Sequence, residues 1–394
     1  MAYPKLSLLA GQDRRLRAGH PWIYSNELKM DAAAKALEPG TPVKLTNVAG
    51  KAMAVAQFNP HSLIAARVLT RNQDATIDTA FLERRLGRAL RLRERLYDQP
   101  FYRLVHAEAD GLPGLVIDRF GKALVIQANS AGMERLKPLL LDALDQVLET
   151  EVIIFRNDSP ARTREGLELG VDVVKGKADG PITLLENGLT FLADPIDGQK
   201  TGWYFDQREN RAFAASLAHG ERVLDLFSYG GGFGVTALKS GAKEALAVDR
   251  SEGALALAAE AAKRNGVQDQ LTCCREEGFA ALDRLASEKQ RFGLVVVDPP
   301  SFVKSKRELK AGLKGYRKLT RAAAPLVREE GCLVIASCSH NVPVDLFRDE
   351  VRKGLGDAGR GGRLIRQSGA SADHPSHPML PESAYLKCLV YMLD

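Results

Sequence analysis

Cysteine is scarce in this chain and nowhere grouped. Its 394 residues hold five, Cys273, Cys274, Cys332, Cys338 and Cys388, all in the second half. None forms a C-x-x-C pair or stands at zinc-finger spacing from a histidine, which excludes a disulfide framework and a structural metal site. Long apolar runs are missing too: no stretch approaches the roughly 18 residues that a membrane-spanning helix needs. The apolar part of MAYPKLSLLAGQDRRLR is too short for a signal peptide and has no small-residue cleavage site behind it. A cytoplasmic protein with no membrane association is therefore expected. Internal repeats and low-complexity tracts are also absent. Apolar residues at 45% and charged residues at 26% are ordinary globular proportions that exclude a disordered, collagenous or coiled-coil chain.

What is present is a long and unevenly charged sequence. At 394 residues it exceeds the roughly 100 to 200 residues of a usual domain, so two or three domains are expected. Residues 1–105 carry 17 Lys and Arg against 9 Asp and Glu, whereas the remainder carries 38 against 40. A basic front half suits a polyanion partner, although a helix with a solvated cationic face would read the same way. The segment TAFLERRLGRALRLRERL, from Thr79 to Leu96, places Phe81, Leu82, Leu86, Leu90 and Leu92 at near-helical spacing among six arginines. That spacing predicts an amphipathic helix with a cationic side.

Three stretches differ in texture. Residues 1–75 mix short apolar runs with turn signals such as Pro39-Gly40 and Ala49-Gly50, as a small β-rich domain does. Residues 76–194 add the arginine-rich helix, the strands LVIDRF and ALVIQAN, a helix near Glu134 to Leu148 and the strand VIIF. This predicts a compact α+β middle domain ending near Asp194-Pro195. In residues 195–394, and regularly from Gly220, apolar strands alternate with helices: RVLDLF, ALAVDR, LTCCRE, LVVVDPP and CLVIASCS. Such alternation predicts an α/β, Rossmann-like domain with a mostly parallel sheet covered on both faces.

In an open α/β sheet, ligands bind where the strands end. The first strand runs from Leu224 through Asp225 to Phe227 and into Ser228-Tyr229-Gly230-Gly231-Gly232-Phe233-Gly234, a turn whose glycines let backbone approach a ligand at a helix N-terminus. A nicotinamide fingerprint does not fit, because Val235 takes the third glycine position. The second strand ends in Asp249, where a carboxylate can accept both hydroxyls of a ribose or, alternatively, cap the helix near Ser251. The fourth ends in Asp298-Pro299-Pro300-Ser301-Phe302; the prolines fix a rigid extended loop, and Phe302 is placed to stack on a flat ring. Lys304, Lys306 and Arg307 follow, with Lys310, Lys314, Arg317 and Lys318 behind them and Glu308 as the only acid of that run. The run reads as a phosphate clamp or as a solvated face. The fifth strand ends in Ser337-Cys338-Ser339, and Cys338 is either a nucleophile at the functional edge or a small buried hydrophobe.

These residues resemble the RlmI-like ribosomal RNA large-subunit (cytosine-5)-methyltransferases over nearly the whole chain. The most specific parts are Lys200 to Arg208 (KTGWYFDQR), Asp225 to Gly234, Asp298 to Lys306, Ser337-Cys338-Ser339, and Ala372-Asp373-His374-Pro375 with Tyr385-Leu386-Lys387. Gly19-His20-Pro21-Trp22-Ile23-Tyr24 resembles the start of a PUA domain, a small RNA-binding β-barrel, and Glu108 to Gly114 resembles the family's middle domain. Gly230 stands where the family commonly has Thr, and Glu277 where it usually has Asp. The resemblance implies a seven-stranded sheet, S-adenosyl-L-methionine as cofactor, ribosomal RNA of the large subunit as partner, and a homodimer. It implies that Phe205, Gln207, Arg208, Asp225, Phe227 to Gly232, Asp249, Arg250, Ser251, Glu277, Asp298 and Pro299 bind the cofactor. It further implies that Pro300, Phe302, Lys304, Lys306 and Arg307 meet the RNA, and that Cys338 and Asp298 are catalytic in forming 5-methylcytosine. Methylation of a base nitrogen without a covalent step, and RNA binding without catalysis, remain as alternatives.

Overall fold

In the computed structural model, which describes residues 3–394, the N-terminal apolar runs pair into a five-stranded sheet. Its strands are β1 (Lys5–Ser7), β2 (Trp22–Ile23), β3 (Thr41–Thr46), β4 (Ala52–Phe58) and β5 (Ala66–Thr70), in the order β1-β3-β4-β5-β2. Opposed residues share a face: Val43 and Leu45 of β3 lie across from Ala56 and Ala54 of β4. That face closes on Leu6, Leu8, Leu16 and Leu28.

A second five-stranded sheet follows, with β6 (Phe101–His106), β7 (Leu115–Phe120), β8 (Ala123–Ala128), β9 (Val152–Asn157) and β10 (Gly170–Lys175) in the order β10-β9-β8-β7-β6. The helices Thr79–Leu96 and Lys137–Val147 bury Phe81, Leu82, Leu86 and Ala89, and Leu140, Ala143 and Leu144, among strand residues such as Ile117, Ile126 and Phe155. Asp78 starts the longer helix by accepting the Phe81 N–H at 2.8 Å. On its buried side Arg93 is wholly covered. Its guanidinium forks onto Asp110 at 2.6 and 2.8 Å and donates to the carbonyls of Arg103 and Asp373, each at 2.8 Å.

The chain divides into two units. One takes the chain up to Gly180 with Pro195–Thr201 and Asp373–Ser383, and the other takes Pro181–Asp194, Gly202–Ala372 and Ala384–Asp394. The first unit takes in the stretches expected as domains 1–75 and 76–194 except for residues 181–194. The hairpin of β11 (Ile182–Glu186) and β12 (Leu189–Ala193) turns through Asn187 and Gly188, both left-handed, as a tight hairpin turn requires. It belongs to the second unit, where Asn265 exchanges hydrogen bonds with the backbone of Thr190 at 3.1 and 2.7 Å. Pro195–Thr201 belongs to the first, held by Arg156 on the Pro195 carbonyl at 2.9 Å and by Thr201 on Asp118 at 2.5 Å. Pairs of this kind between distant residues leave no local periodicity in the sequence.

In the second unit β13 (Arg222–Leu226), β14 (Glu244–Asp249), β15 (Leu271–Arg275), β16 (Phe292–Val297), β17 (Val327–Ser337), β18 (Gly362–Ser368) and β19 (Lys387–Leu393) form one sheet in the order β15-β14-β13-β16-β17-β19-β18. It is the expected mostly parallel seven-stranded sheet, with β19 antiparallel to both its neighbours. β16 is buried along its whole length, as a central strand covered on both faces must be. The strand order reverses at β13, so the carboxyl ends of β13, β14 and β16 flank the switch point where such sheets take ligands. Among the described residues no helix is long and apolar enough to cross a membrane.

Because Asp110 is a buried carboxylate matched by one buried cation, Arg93→Met should destabilise the protein by about 3 to 5 kcal/mol. The denaturant midpoint reads this. Adding Asp110→Leu to Arg93→Met should recover part of the loss.

Candidate active site

The turn after β13 is built under strain. Phe227 and Tyr229 have φ of 61° and 47°, a region that costs a side-chain-bearing residue of order 1 kcal/mol or more and that clusters at ligand sites. Gly231, at φ 72°, lies so near the helix Glu252–Arg264 that an added Cβ would stand 2.8 Å from that of Ala258. The turn then enters the helix Gly232–Lys239, whose Gly234 N–H donates to Asp225 Oδ2 at 2.9 Å. Asp225 Oδ1 and the Ser228 hydroxyl are buried and have no hydrogen-bond partner among the described residues. Unsatisfied buried polar atoms are rare in native proteins, and two at one glycine turn fit a polar ligand with hydrogen-bonding groups. Burial, with the charges of Asp298 and Asp249 behind it, pushes the Asp225 carboxyl up to about 7 despite the Gly234 N–H.

Asp249 ends β14 half-buried. Its Oδ2 accepts the Tyr229 N–H at 3.0 Å and its Oδ1 the Ser251 N–H at 2.9 Å. The cap of the next helix is Ser251, whose hydroxyl accepts the Ala254 N–H at 3.2 Å. Asp249 therefore steadies the glycine turn and still keeps oxygen lone pairs for a ligand. Arg250 beside it is exposed. Phe227 packs against Gly278, where a Cβ would sit 2.5 Å from the ring. Glu277, expected to reach a cofactor, has Oε2 engaged at a helix start, accepting from Phe279 and Ala280 at 2.8 and 3.2 Å.

The loop ahead of β13 is anchored by a residue the sequence reading passed over. Glu186, at the end of β11, is buried and takes both arms of Arg211 at 2.6 and 2.8 Å, Arg208 at 3.6 Å and the Trp203 indole N–H at 3.0 Å. These contacts hold the stretch Trp203 to Arg208, with Phe205 buried under the Arg208 guanidinium. They also place Gln207 so that its Nε2 donates to Asp298 Oδ2 at 2.9 Å. Three expected residues, Gln207, Arg208 and Asp298, are thus linked to one carboxylate. No spacing rule marks Glu186.

At the ends of β16 and β17 a hydroxyl chain joins two loops. Ser301 and Ser339 are 2.8 Å apart, Ser339 is 2.9 Å from the Tyr316 hydroxyl, and Ser337 donates to Tyr316 at 2.8 Å. Cys338 sits half-buried between the two serines, within electrostatic reach of Tyr204, Tyr316 and Lys387. Lys387 pairs in register with Ser337 across β17 and β19. Its buried ammonium donates to the carbonyls of Ser339 and Tyr385 at 2.6 and 2.7 Å, and burial pushes its pKa down to about 8 while the charge of Cys338 works against that shift. Burial also drives the Tyr204 phenol far up, keeping it a neutral donor. Pro299 is buried and Pro300 exposed, and Phe302 packs on Tyr316 with ring centroids 4.8 Å apart. Lys304, Lys306 and Arg307 are exposed. Farther along that run, Arg317 forks onto Asp357 at 2.6 and 2.7 Å, and Lys318 lies 4.8 Å over the Phe279 ring.

Residues 6–71 match the PUA-like domain family, and residues 168–360 match the S-adenosylmethionine-dependent methyltransferase family. The chain is 38% identical over 389 residues to the ribosomal RNA large subunit methyltransferase I of Erwinia tasmaniensis, covering 97% of this chain and 98% of that one. Two solved structures share its fold at 20% identity. One is a candidate S-adenosylmethionine-dependent methyltransferase from Streptococcus mutans, with a TM-score of 0.83 over 99% of this chain and all of that one. The other is a candidate methyltransferase complexed with S-adenosylhomocysteine, with a TM-score of 0.84 over the full length of both.

Two outcomes follow for this pocket. Asp225 has its pKa raised from 3.8 to about 7 on folding, so the stability it lends is complete below the unfolded value and is lost as pH rises through about 7. The stability of wild type relative to Asp225→Asn should therefore fall between pH 4 and 7, and chemical denaturation across that range measures it. Asp249→Ala should weaken S-adenosylmethionine binding by about 1.5 to 3 kcal/mol, roughly 10- to 150-fold. Calorimetric titration of the folded variant reads this directly, and unchanged affinity would remove Asp249 from the site.

Proposed function

As a member of the ribosomal RNA large subunit methyltransferase I family, the chain is an S-adenosylmethionine-dependent ribosomal RNA methyltransferase, and we propose that it methylates carbon 5 of a cytosine through a covalent Cys338 adduct. The observation that carries this reading is the position of Cys338: half-buried at the carboxyl edge of the sheet, beside the Lys387 ammonium and across the hydroxyl chain from the loop that begins at Asp298. S-adenosylmethionine, when bound, supplies an electrophilic methyl group.

The residues that would hold it are those of the strained turn, Phe227 to Gly232, with Asp225 below, Asp249 to Ser251 at the ribose end, and Phe205, Gln207 and Arg208 from the anchored loop. Glu277, Asp298 and Pro299 complete the set. The buried Asp225 and Ser228 oxygens supply acceptors that a ligand's donors can meet. On the RNA side, Pro300 and Phe302 border the base, and the exposed Lys304, Lys306 and Arg307 meet phosphates.

Carbon 5 of cytosine is a poor nucleophile until a thiolate adds to C6. A free thiol has a pKa of about 8.5, and a neighbouring cation lowers it. Lys387 provides that cation, and its grip on the Ser339 carbonyl holds the backbone of the cysteine turn. Once the Cys338 thiolate adds to C6, the electron pair displaced toward C5 makes that carbon nucleophilic, and Asp298, steadied by Gln207, binds the ring nitrogen or amine where charge develops. After methylation the C5 proton leaves to a base, the S–C6 bond breaks and Cys338 is released as thiolate. The residue at 301 is serine and bonds to Ser339, so a single cysteine carries both addition and elimination.

RNA containing 5-fluorocytosine at the target should trap wild-type protein covalently, because fluorine cannot leave as the proton does. Cys338→Ala should form no adduct and lose essentially all turnover while keeping S-adenosylmethionine affinity; Cys332→Ala should do neither. Lys387→Met should slow adduct formation and shift its pH dependence upward, since the thiolate loses its cation. Near-normal turnover by Cys338→Ala, with no adduct in wild type, would put nitrogen methylation first.

A further inference from the structure

The helix Thr79–Leu96 carries six arginines, and the first unit uses two of them internally. Arg93 is buried on Asp110, and Arg85 donates to the Leu69 carbonyl at 3.0 Å. The other four, Arg84, Arg88, Arg91 and Arg95, are exposed. Among the described residues none of the four forms an ion pair. They recur at intervals of 4, 3 and 4 residues, which on an α-helix confines them to an arc of about 60° and spreads them along roughly 16 Å. Phe81, Leu82, Leu86 and Ala89 are turned into the core, which leaves Leu92 and Leu96 as the helix's exposed leucines, too small an apolar patch to seat it on a membrane surface.

Other exposed arginines, such as Arg14 and Arg321, stand outside the ion pairs too, but among the described residues no other helix lines four of them along one face. On other helices Arg17 pairs with Asp13 at 2.7 Å, Arg264 with Glu260 at 2.9 Å, Arg348 with Asp345 at 2.9 Å and Arg352 with Asp349 at 2.8 Å. Here the helix's two acids, Glu83 and Glu94, fall to one side of the row. The crowding is felt at Arg85, whose pKa is lowered by burial and then by the charges of Arg88 and Arg84. Like charges at i,i+4 destabilise a helix, and an external anion relieves them.

We propose that Arg84, Arg88, Arg91 and Arg95 form a docking track for the phosphodiester backbone of the RNA substrate, one guanidinium to a phosphate. The planar fork of arginine matches two phosphate oxygens at once, and a straight row of four suits a strand of regularly spaced charges. The track reads backbone and not base, so it sets affinity and leaves the choice of nucleotide elsewhere. It holds whether the methylated atom is carbon or nitrogen.

The test is binding of purified, deproteinised large-subunit ribosomal RNA over a series of KCl concentrations. Replacing all four arginines by glutamine (Arg84→Gln, Arg88→Gln, Arg91→Gln, Arg95→Gln) should lower the log–log salt slope by about 3 and weaken binding on the order of a hundredfold at physiological salt. The four-lysine variant should keep most of the slope. Arg348→Gln with Arg352→Gln, which removes two arginines already paired, should leave it unchanged. S-adenosylmethionine affinity of the four-glutamine variant should match wild type and its denaturant midpoint should be no lower, showing that the fold is intact. An unchanged slope in that variant, or an equal loss per charge in the Arg348/Arg352 control, overturns the proposal. The readout is RNA affinity alone, so a failure of the Cys338 chemistry leaves it interpretable.

Discussion

Much of the second unit's chemistry hangs on one buried carboxylate. Glu186 is taken out of water, which costs several kcal/mol unless opposite charge and hydrogen bonds replace the lost hydration. Arg211, Arg208 and the Trp203 N–H provide the replacement, and each comes from chain that borders the ligand turn. Arg211 also lies under Gly232, where an added Cβ would stand 2.8 Å from its Cδ, and it donates to the Tyr204 carbonyl at 2.7 Å. A shift of Glu186 would therefore move the loop, the glycine turn and, through Gln207, Asp298 together.

Opposed to this rigidity is stored cost. Two side-chain-bearing residues of the turn are left-handed, Asp225 is pushed toward neutrality, and two buried oxygens lack partners among the described residues. A fold keeps such features when the surrounding packing over-determines them and a ligand relieves them. The hydroxyl chain from Ser301 through Ser339 and Tyr316 to Ser337 does similar work on either side of Cys338, fixing both loops.

The same residue type serves opposite ends, even on a single helix. Arg93 and Arg211 are interior struts whose charges are cancelled on the spot, whereas the exposed row on the helix Thr79–Leu96 is left uncancelled. Composition treats all of them alike, and only burial and partners separate them.

Much was legible in the sequence because it is local. Near-continuous apolar runs marked β13, β16 and the end of β17, the glycines marked a tight turn, and the order of strands and helices marked the parallel sheet with Asp249, Asp298 and Cys338 at its carboxyl ends. Asn187-Gly188 is a local hairpin signal as well, but nothing local says which unit the hairpin joins; Asn265, far along the chain, decides that. Glu186 and Tyr316 stayed hidden for the same reason, and Lys387 stood out only through the resemblance of Tyr385-Leu386-Lys387, not through its partners. Their roles depend on partners that folding alone brings within 3 Å, and a hydrogen bond or ion pair between distant residues leaves no period in the sequence. The sequence by itself thus determined the elements, their order and which residues end the strands. The tertiary structure decided which charges are cancelled, which buried polar atoms are left without a partner among the described residues and which lysine's charge reaches the cysteine, because those depend on burial and distance.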